Sequence, residues 1–136
     1  MKKITLALQT RLEKKSRSAA KKSYSPYSEF RVGAAVLAGS GKIYSGTNIE
    51  NASFGLCNCA ERTAIFTAIA AGEREIRGVA VYTPTDTATT PCGACRQVIN
   101  EFGPEASIVC LCDSDDRIET TLSALLPGAF GPGNLR

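Results

Sequence analysis

The sequence predicts an α/β layered domain built on one mixed β-sheet, and three observations carry that prediction. Compact apolar runs at Val32 to Leu37, Ile76 to Thr83 and Ser107 to Cys112 read as strands. Between them lie stretches whose apolar residues recur at helical spacing, so strand and helix alternate along the chain. Finally, 136 residues, 43% of them hydrophobic, can bury a core without disulfide staples, so residues 1–136 are expected to form a single domain.

Ile4, Leu8 and Leu12, then Ala19 and Ala20, recur among Lys, Arg and Glu and predict an amphipathic first helix. It ends before Ser25-Pro26, because a residue preceding proline is pushed out of the helical region. Val32 to Leu37, the turn Gly39-Ser40-Gly41 and the alternating Lys42 to Asn48 form a β-hairpin. Cys57-Asn58-Cys59-Ala60-Glu61-Arg62 opens a helix with the apolar stripe Ala60, Ala64, Ile65, Ala68 and Ile69, stopping at Gly72. After the strand Ile76 to Thr83 and a polar loop, Thr90-Pro91-Cys92-Gly93-Ala94-Cys95 opens another helix that runs to about Phe102, with Pro91 at its start. Ser107 to Cys112 suits a central strand, with Cys110 and Cys112 as core thiols. Asp113 to Asp116 makes a turn, Ile118 begins a short strand, Thr121 to Leu126 forms a short helix, and an irregular Pro- and Gly-rich tail follows.

The formal charge of +3 is small, and the basic run Lys14-Lys15-Ser16-Arg17 with Lys21-Lys22 reads as a solvated helix face, so no nucleic-acid partner is expected. Met1-Lys2-Lys3 followed by Ile4 to Leu8 starts like a secretion signal. Gln9, Arg11, Glu13 and Lys14 interrupt it, and no cleavage site follows. No segment is long enough to span a bilayer, so no membrane association is expected. In such a chain the six cysteines read as metal ligands and buried thiols, which points to the cytoplasm.

Cys92 and Cys95 stand three apart and share a helix face, and Cys59 opens the other helix. Helix starts favour thiolates through unpaired backbone N–H groups and the dipole, so two helix ends can converge on one Zn²⁺ ion with Cys59, Cys92 and Cys95 as ligands. Three protein ligands leave the fourth tetrahedral position for water, and Glu61 is placed beside it as a base. Three thiolates and Zn²⁺ sum to minus one, so Arg62, permanently charged and able to donate to sulfur, is the candidate counter-charge. A structural site recruiting Cys57 as a fourth ligand is the alternative. Cys57 and Cys59 are only two apart, an awkward spacing for one tetrahedron.

With these motifs the chain resembles a cytidine deaminase of the small type with three cysteine zinc ligands. The likeness runs from about Ser23 through Ser23-Tyr24-Ser25-Pro26-Tyr27-Ser28, Phe30-Arg31-Val32-Gly33-Ala34, Asn48-Ile49-Glu50-Asn51-Ala52, both cysteine stretches and Leu125-Leu126-Pro127-Gly128-Ala129-Phe130. It implies a three-layer α/β/α sandwich with a mixed, mostly five-stranded sheet, and hydrolytic deamination of free cytidine and deoxycytidine in pyrimidine salvage. Glu61 would take a proton from water, deliver it to N3 and help the amino group leave as ammonia. The resemblance also places Phe30 against the pyrimidine and Asn48 with Glu50 on the sugar hydroxyls, and gives Ala60 a part in substrate binding. It further implies a homotetramer with shared sites, in which Phe130 and Phe54 reach a neighbouring subunit; many members carry Tyr where this chain has Phe54.

From the residues alone, Asn48 and Glu50, two apart in an extended stretch, share a side and offer an amide and a carboxylate to a diol, though a polar strand end would look the same. Phe30 alone would read as core. A deaminase of a cytosine-containing antibiotic need not keep Asn48 and Glu50. A zinc-stabilised binding module, or an enzyme editing single-stranded nucleic acid, should show an aromatic and basic groove pattern that the sequence lacks.

Overall fold

The computed structural model describes residues 4–136; Met1, Lys2 and Lys3, the basic start considered above, lie outside the described residues. Helix α1 (Leu6–Ala20) is followed by strands β1 (Gly33–Ala38) and β2 (Ile43–Thr47), helix α2 (Ala60–Ala70), strand β3 (Ile76–Tyr82), helix α3 (Gly93–Phe102), strands β4 (Ser107–Leu111) and β5 (Ile118–Thr121) and the short helix α4 (Leu122–Leu125). The strands form one sheet in the order β2-β1-β3-β4-β5. β3 and β4 run parallel and the other neighbours antiparallel, so the sheet is mixed, as the sequence predicts.

Alternation along the central strands assigns each residue to a face. Val36, Val79, Val81, Ile108 and Cys110 meet Ala64, Ile65, Ala68 and Ile99 from α2 and α3, while Ala35, Leu37, Ala80, Val109 and Leu111 meet Leu12 of α1. Helices cover both faces, which explains why β1 and β4 read as continuous apolar runs rather than alternating ones. The layers sit close. A Cβ on Gly46 of β2 would come within 2.3 Å of the Ala64 nitrogen, so this glycine lets α2 lie directly against the hairpin.

Thr5 caps α1 by accepting from the Leu8 N–H at 3.2 Å, so the helix starts at Leu6 and Ile4 instead packs beside it against the sheet. Gly72, at φ +101°, lies just beyond α2 where a stop was expected. Pro91 lies just ahead of the first helical turn, as expected, but outside the helix itself. Cys92 itself is the N-cap of α3 and Gly93 its first helical residue, so Pro91 shapes the approach rather than the first turn.

Candidate active site

Two helix starts meet at one edge of the α2 and α3 layer. Cys59 is the N-cap of α2, Cys92 the N-cap of α3, and Cys95 lies in the first turn of α3. Their three sulfurs lie within 4.8 Å of one another, and Cys59 Sγ and Cys92 Sγ are 3.9 Å apart. Zinc–sulfur bonds of about 2.3 Å at tetrahedral angles place neighbouring sulfurs about 3.8 Å apart, so the donor set fits one zinc ion. Cys95 is buried, Cys59 half-buried and Cys92 exposed, which leaves the group approachable from one side.

Arg62 Nη2 donates to Cys59 Sγ at 3.2 Å, the contact expected of a counter-charge. Hydrogen bonding from Cys95, reinforced by Arg62, lowers the Cys59 thiol to about 5 against the opposing effect of burial. Cys95 moves up, because Cys59 takes its hydrogen bond and burial opposes its ionisation. The pair thus holds its negative charge on Cys59, where the guanidinium lies. A cation in the first turn of a helix opposes the dipole, so Arg62 stands there against local preference and in favour of the thiolate.

Glu61, one residue before Arg62, is 5% exposed. Burial pushes its carboxyl up to about 7, its own backbone N–H pulls against this, and the Cys59 sulfur adds to the rise. Ala60, between Cys59 and Glu61, is fully buried. Its N–H is one of those a helix start leaves without an intrahelical partner.

Cys57 takes no part in the sulfur group. It accepts the Asn51 N–H at 3.3 Å, which turns its sulfur toward the preceding loop and removes the four-cysteine alternative. Cys110 and Cys112 are buried as expected, and burial pushes the Cys110 thiol up to about 12.

The second cluster lies beside the first through backbone pairing. Residues 48–50 run between the 23–30 loop and the Asn58 lead into α2: Ile49 and Asn58 exchange N–H···O bonds of 3.0 and 2.9 Å, and the Glu50 N–H donates to the Tyr24 carbonyl at 2.8 Å. Asn48 and Glu50 share a side, and both address the loop. Asn48 Oδ1 accepts from Ser23 Oγ at 2.6 Å and the Val32 N–H at 2.9 Å, and its Nδ2 donates to the Phe30 carbonyl at 2.7 Å. Glu50 Oε1 accepts the N–H groups of Tyr27 and Ser28 at 2.9 and 3.2 Å, and Oε2 accepts the Ser28 hydroxyl. Phe30 is 40% exposed, too open for the core role that the residue alone suggests.

Phe54 and Phe130 are 72% and 58% exposed. Phe54 meets Tyr27 edge to face, with ring centroids 5.8 Å apart, while the Phe130 carbonyl accepts from Gln97 Nε2 at 2.9 Å and Asn100 Nδ2 at 3.3 Å of α3.

Some residues that shape the site escape the sequence pattern. Arg96 donates to the Pro91 carbonyl at 2.8 Å, Thr90 Oγ1 at 2.8 Å and the Leu125 carbonyl at 2.9 Å, which ties the approach to Cys92 to the end of α4. Its signal was available: like Arg62, it is an arginine near a helix start, where the dipole disfavours a cation. Thr63 donates to the Cys59 carbonyl at 3.2 Å and accepts from Asn58 Nδ2 at 2.9 Å.

Residues 7–111 match the family model described as the cytidine and deoxycytidylate deaminase zinc-binding region, a span that contains all three metal-site cysteines and Glu61. The chain belongs to the cytidine deaminase family. It is 49% identical over 121 residues to a cytidine deaminase of Sporosarcina psychrophila, covering 88% of this chain and 89% of that protein. It is 51% identical over 109 residues to one from Halalkalibacterium halodurans, covering 79% and 83%. Its fold is similar to the crystal structure of cytidine deaminase from Burkholderia pseudomallei, with a TM-score of 0.86 at 45% identity, covering 93% of this chain and all of that one. The family, the fold and the metal group agree with the resemblance seen in the motifs.

Proposed function

We propose that this family member catalyses hydrolytic deamination of cytidine and deoxycytidine to uridine and deoxyuridine with release of ammonia. The observation that carries this function is the triangle of sulfurs within 4.8 Å of one another, with one buried carboxylate on the helix turn that follows Cys59. A zinc ion held by Cys59, Cys92 and Cys95 supplies Lewis acidity and makes water more acidic. Glu61 takes a proton from the attacking water, passes it to N3 of the ring and assists departure of the 4-amino group. Burial opposes the charged form of the Glu61 carboxyl and so favours its holding a proton between the two transfers. Arg62 keeps the sulfur cluster from accumulating uncompensated charge.

Phe30 supplies the aromatic face for the base, and the Ala60 backbone borders the reacting end. Asn48 and Glu50 read the sugar with what the loop leaves them. With both Oδ1 acceptor positions and one Nδ2 hydrogen engaged, Asn48 retains one N–H; Glu50 Oε2, holding one hydroxyl, retains a lone pair. One donor and one acceptor match a single sugar hydroxyl, which supports acceptance of both ribosides and deoxyribosides.

The whole chain acts as one domain in this reading, in the cytoplasm, and assembles as a homotetramer. The exposed apolar side chains of Tyr24, Ile49, Phe54, Leu56 and Phe130 support burial against further copies, with Phe54 and Phe130 completing a neighbour's site. Among the described residues no helix is long and apolar enough to cross a membrane. The test follows ammonia release and the ultraviolet change of the zinc-loaded protein with cytidine, deoxycytidine and a cytosine-containing single-stranded oligonucleotide. Turnover of both nucleosides and none of the oligonucleotide is expected; inactivity on the nucleosides would overturn the assignment.

A further inference from the structure

We propose that Ser28 is a positioning residue for substrate recognition, which joins the carboxylate that reads the sugar to the backbone of the ring that faces the base. The proposal rests on the nucleoside reading above. The Ser28 hydroxyl has one proton, which it gives to Glu50 Oε2, and its oxygen accepts the Phe30 N–H at 3.1 Å. Each bond fixes the role of the other: a hydroxyl that donates to the carboxylate presents its lone pairs to the amide. Phe30 is therefore held on both sides, its N–H by Ser28 and its carbonyl by Asn48 Nδ2 at 2.7 Å.

The residue between them shows how firmly this loop is set. Glu29 has φ +59°, the one positive φ at a non-glycine among the described residues. A side chain with a Cβ rarely adopts that conformation, and it persists where surrounding contacts over-determine it. Here those contacts are the Tyr27 and Ser28 N–H groups on Glu50 Oε1, the Ser28 hydroxyl on Oε2 and the Asn48 amide on Phe30. Ser28 is also the foremost reason why the Glu50 carboxyl lies below its ordinary range. Because Ser28 is exposed and outside both core clusters, loss of its hydroxyl should leave the fold intact.

Steady-state kinetics of zinc-loaded wild type, Ser28→Ala, Ser28→Thr, Glu50→Gln and the Ser28→Ala/Glu50→Gln double variant with cytidine test the proposal. Ser28→Ala should raise KM by about tenfold or more, the scale of one lost hydrogen bond to a charged group, with kcat within about threefold of wild type. Ser28→Thr, which keeps the hydroxyl, should recover most of the loss. The double variant should be little worse than Glu50→Gln alone, since both act through one contact. An unchanged KM in Ser28→Ala, no recovery with threonine or fully additive losses would overturn the proposal while leaving the activity assigned. An inactive wild type would instead remove the nucleoside reading, and this proposal with it.

Discussion

Cys59, Cys92, Cys95 and Glu61 stand at the N-caps and in the first turns of two helices whose inner faces are core, whereas Phe30, Asn48 and Glu50 belong to irregular chain held by side-chain bonds to backbone. At the metal end the backbone is set by helix and sheet packing, and the side chains follow. At the end proposed to read the sugar, the side chains set the backbone: without Glu50 and Asn48 the loop carrying Phe30 has little to hold its shape. In the proposed reading, chemistry therefore sits where misplacement disturbs the core, and recognition where the chain can vary at modest cost to the fold. Substitutions at the first end should act in an all-or-none way, and those at the second should be graded.

The largest effect should come from Glu61→Gln, which keeps the shape and burial of the side chain but removes its proton transfer. Turnover should fall by about a thousandfold or more while zinc stays bound, as read by ammonia release and elemental analysis. Loss of the metal in that variant would place Glu61 among the ligands. Cys92→Ser should follow, depleting zinc and lowering the melting temperature together, because binding energy at such a site is also folding energy. Phe30→Ala should be graded, with KM raised by roughly tenfold through lost base stacking and zinc content unchanged. Should it abolish metal binding, the two ends would not be separable.

The smallest effect belongs to a pair outside both ends. Glu13 of α1 meets Arg117, the residue before β5, at 2.9 Å. Burial acts to raise its carboxyl, but hydrogen bonds from Arg117 and Gln9 outweigh that and hold it below the ordinary 4.5. A depressed carboxyl contributes stability that is fully present above that ordinary value and is lost as pH falls through the folded one. Glu13→Gln should therefore lower stability slightly at neutral pH, weaken the acid-induced drop in melting temperature and leave kcat/KM unchanged. An acid profile identical to wild type would show that the pair contributes nothing.

The same contrast decides what the sequence made legible. The strands were readable because helices cover both faces of the sheet, so Val32 to Leu37 and Ser107 to Cys112 had to be apolar throughout. The metal end was readable because a helix turns a spacing into a geometry: Cys92 and Cys95, three apart, share a face in any helix. The sugar end follows no such period. Asn48 and Glu50 find their partners some twenty residues upstream, through a loop whose path depends on a positive φ at Glu29, and no local pattern announces it. Ser28 was in view within the motif, yet its role appears only when Glu50 and Phe30 are seen on either side of it.

X-ray absorption at the zinc edge of the loaded protein tests the central claim most directly, since that claim is an open metal site with Glu61 beside the ion rather than on it. The account predicts three sulfur neighbours at about 2.3 Å and one lighter neighbour at about 2.0 Å, unchanged in Glu61→Gln. Four sulfur neighbours, or loss of the light neighbour in that variant, would contradict it.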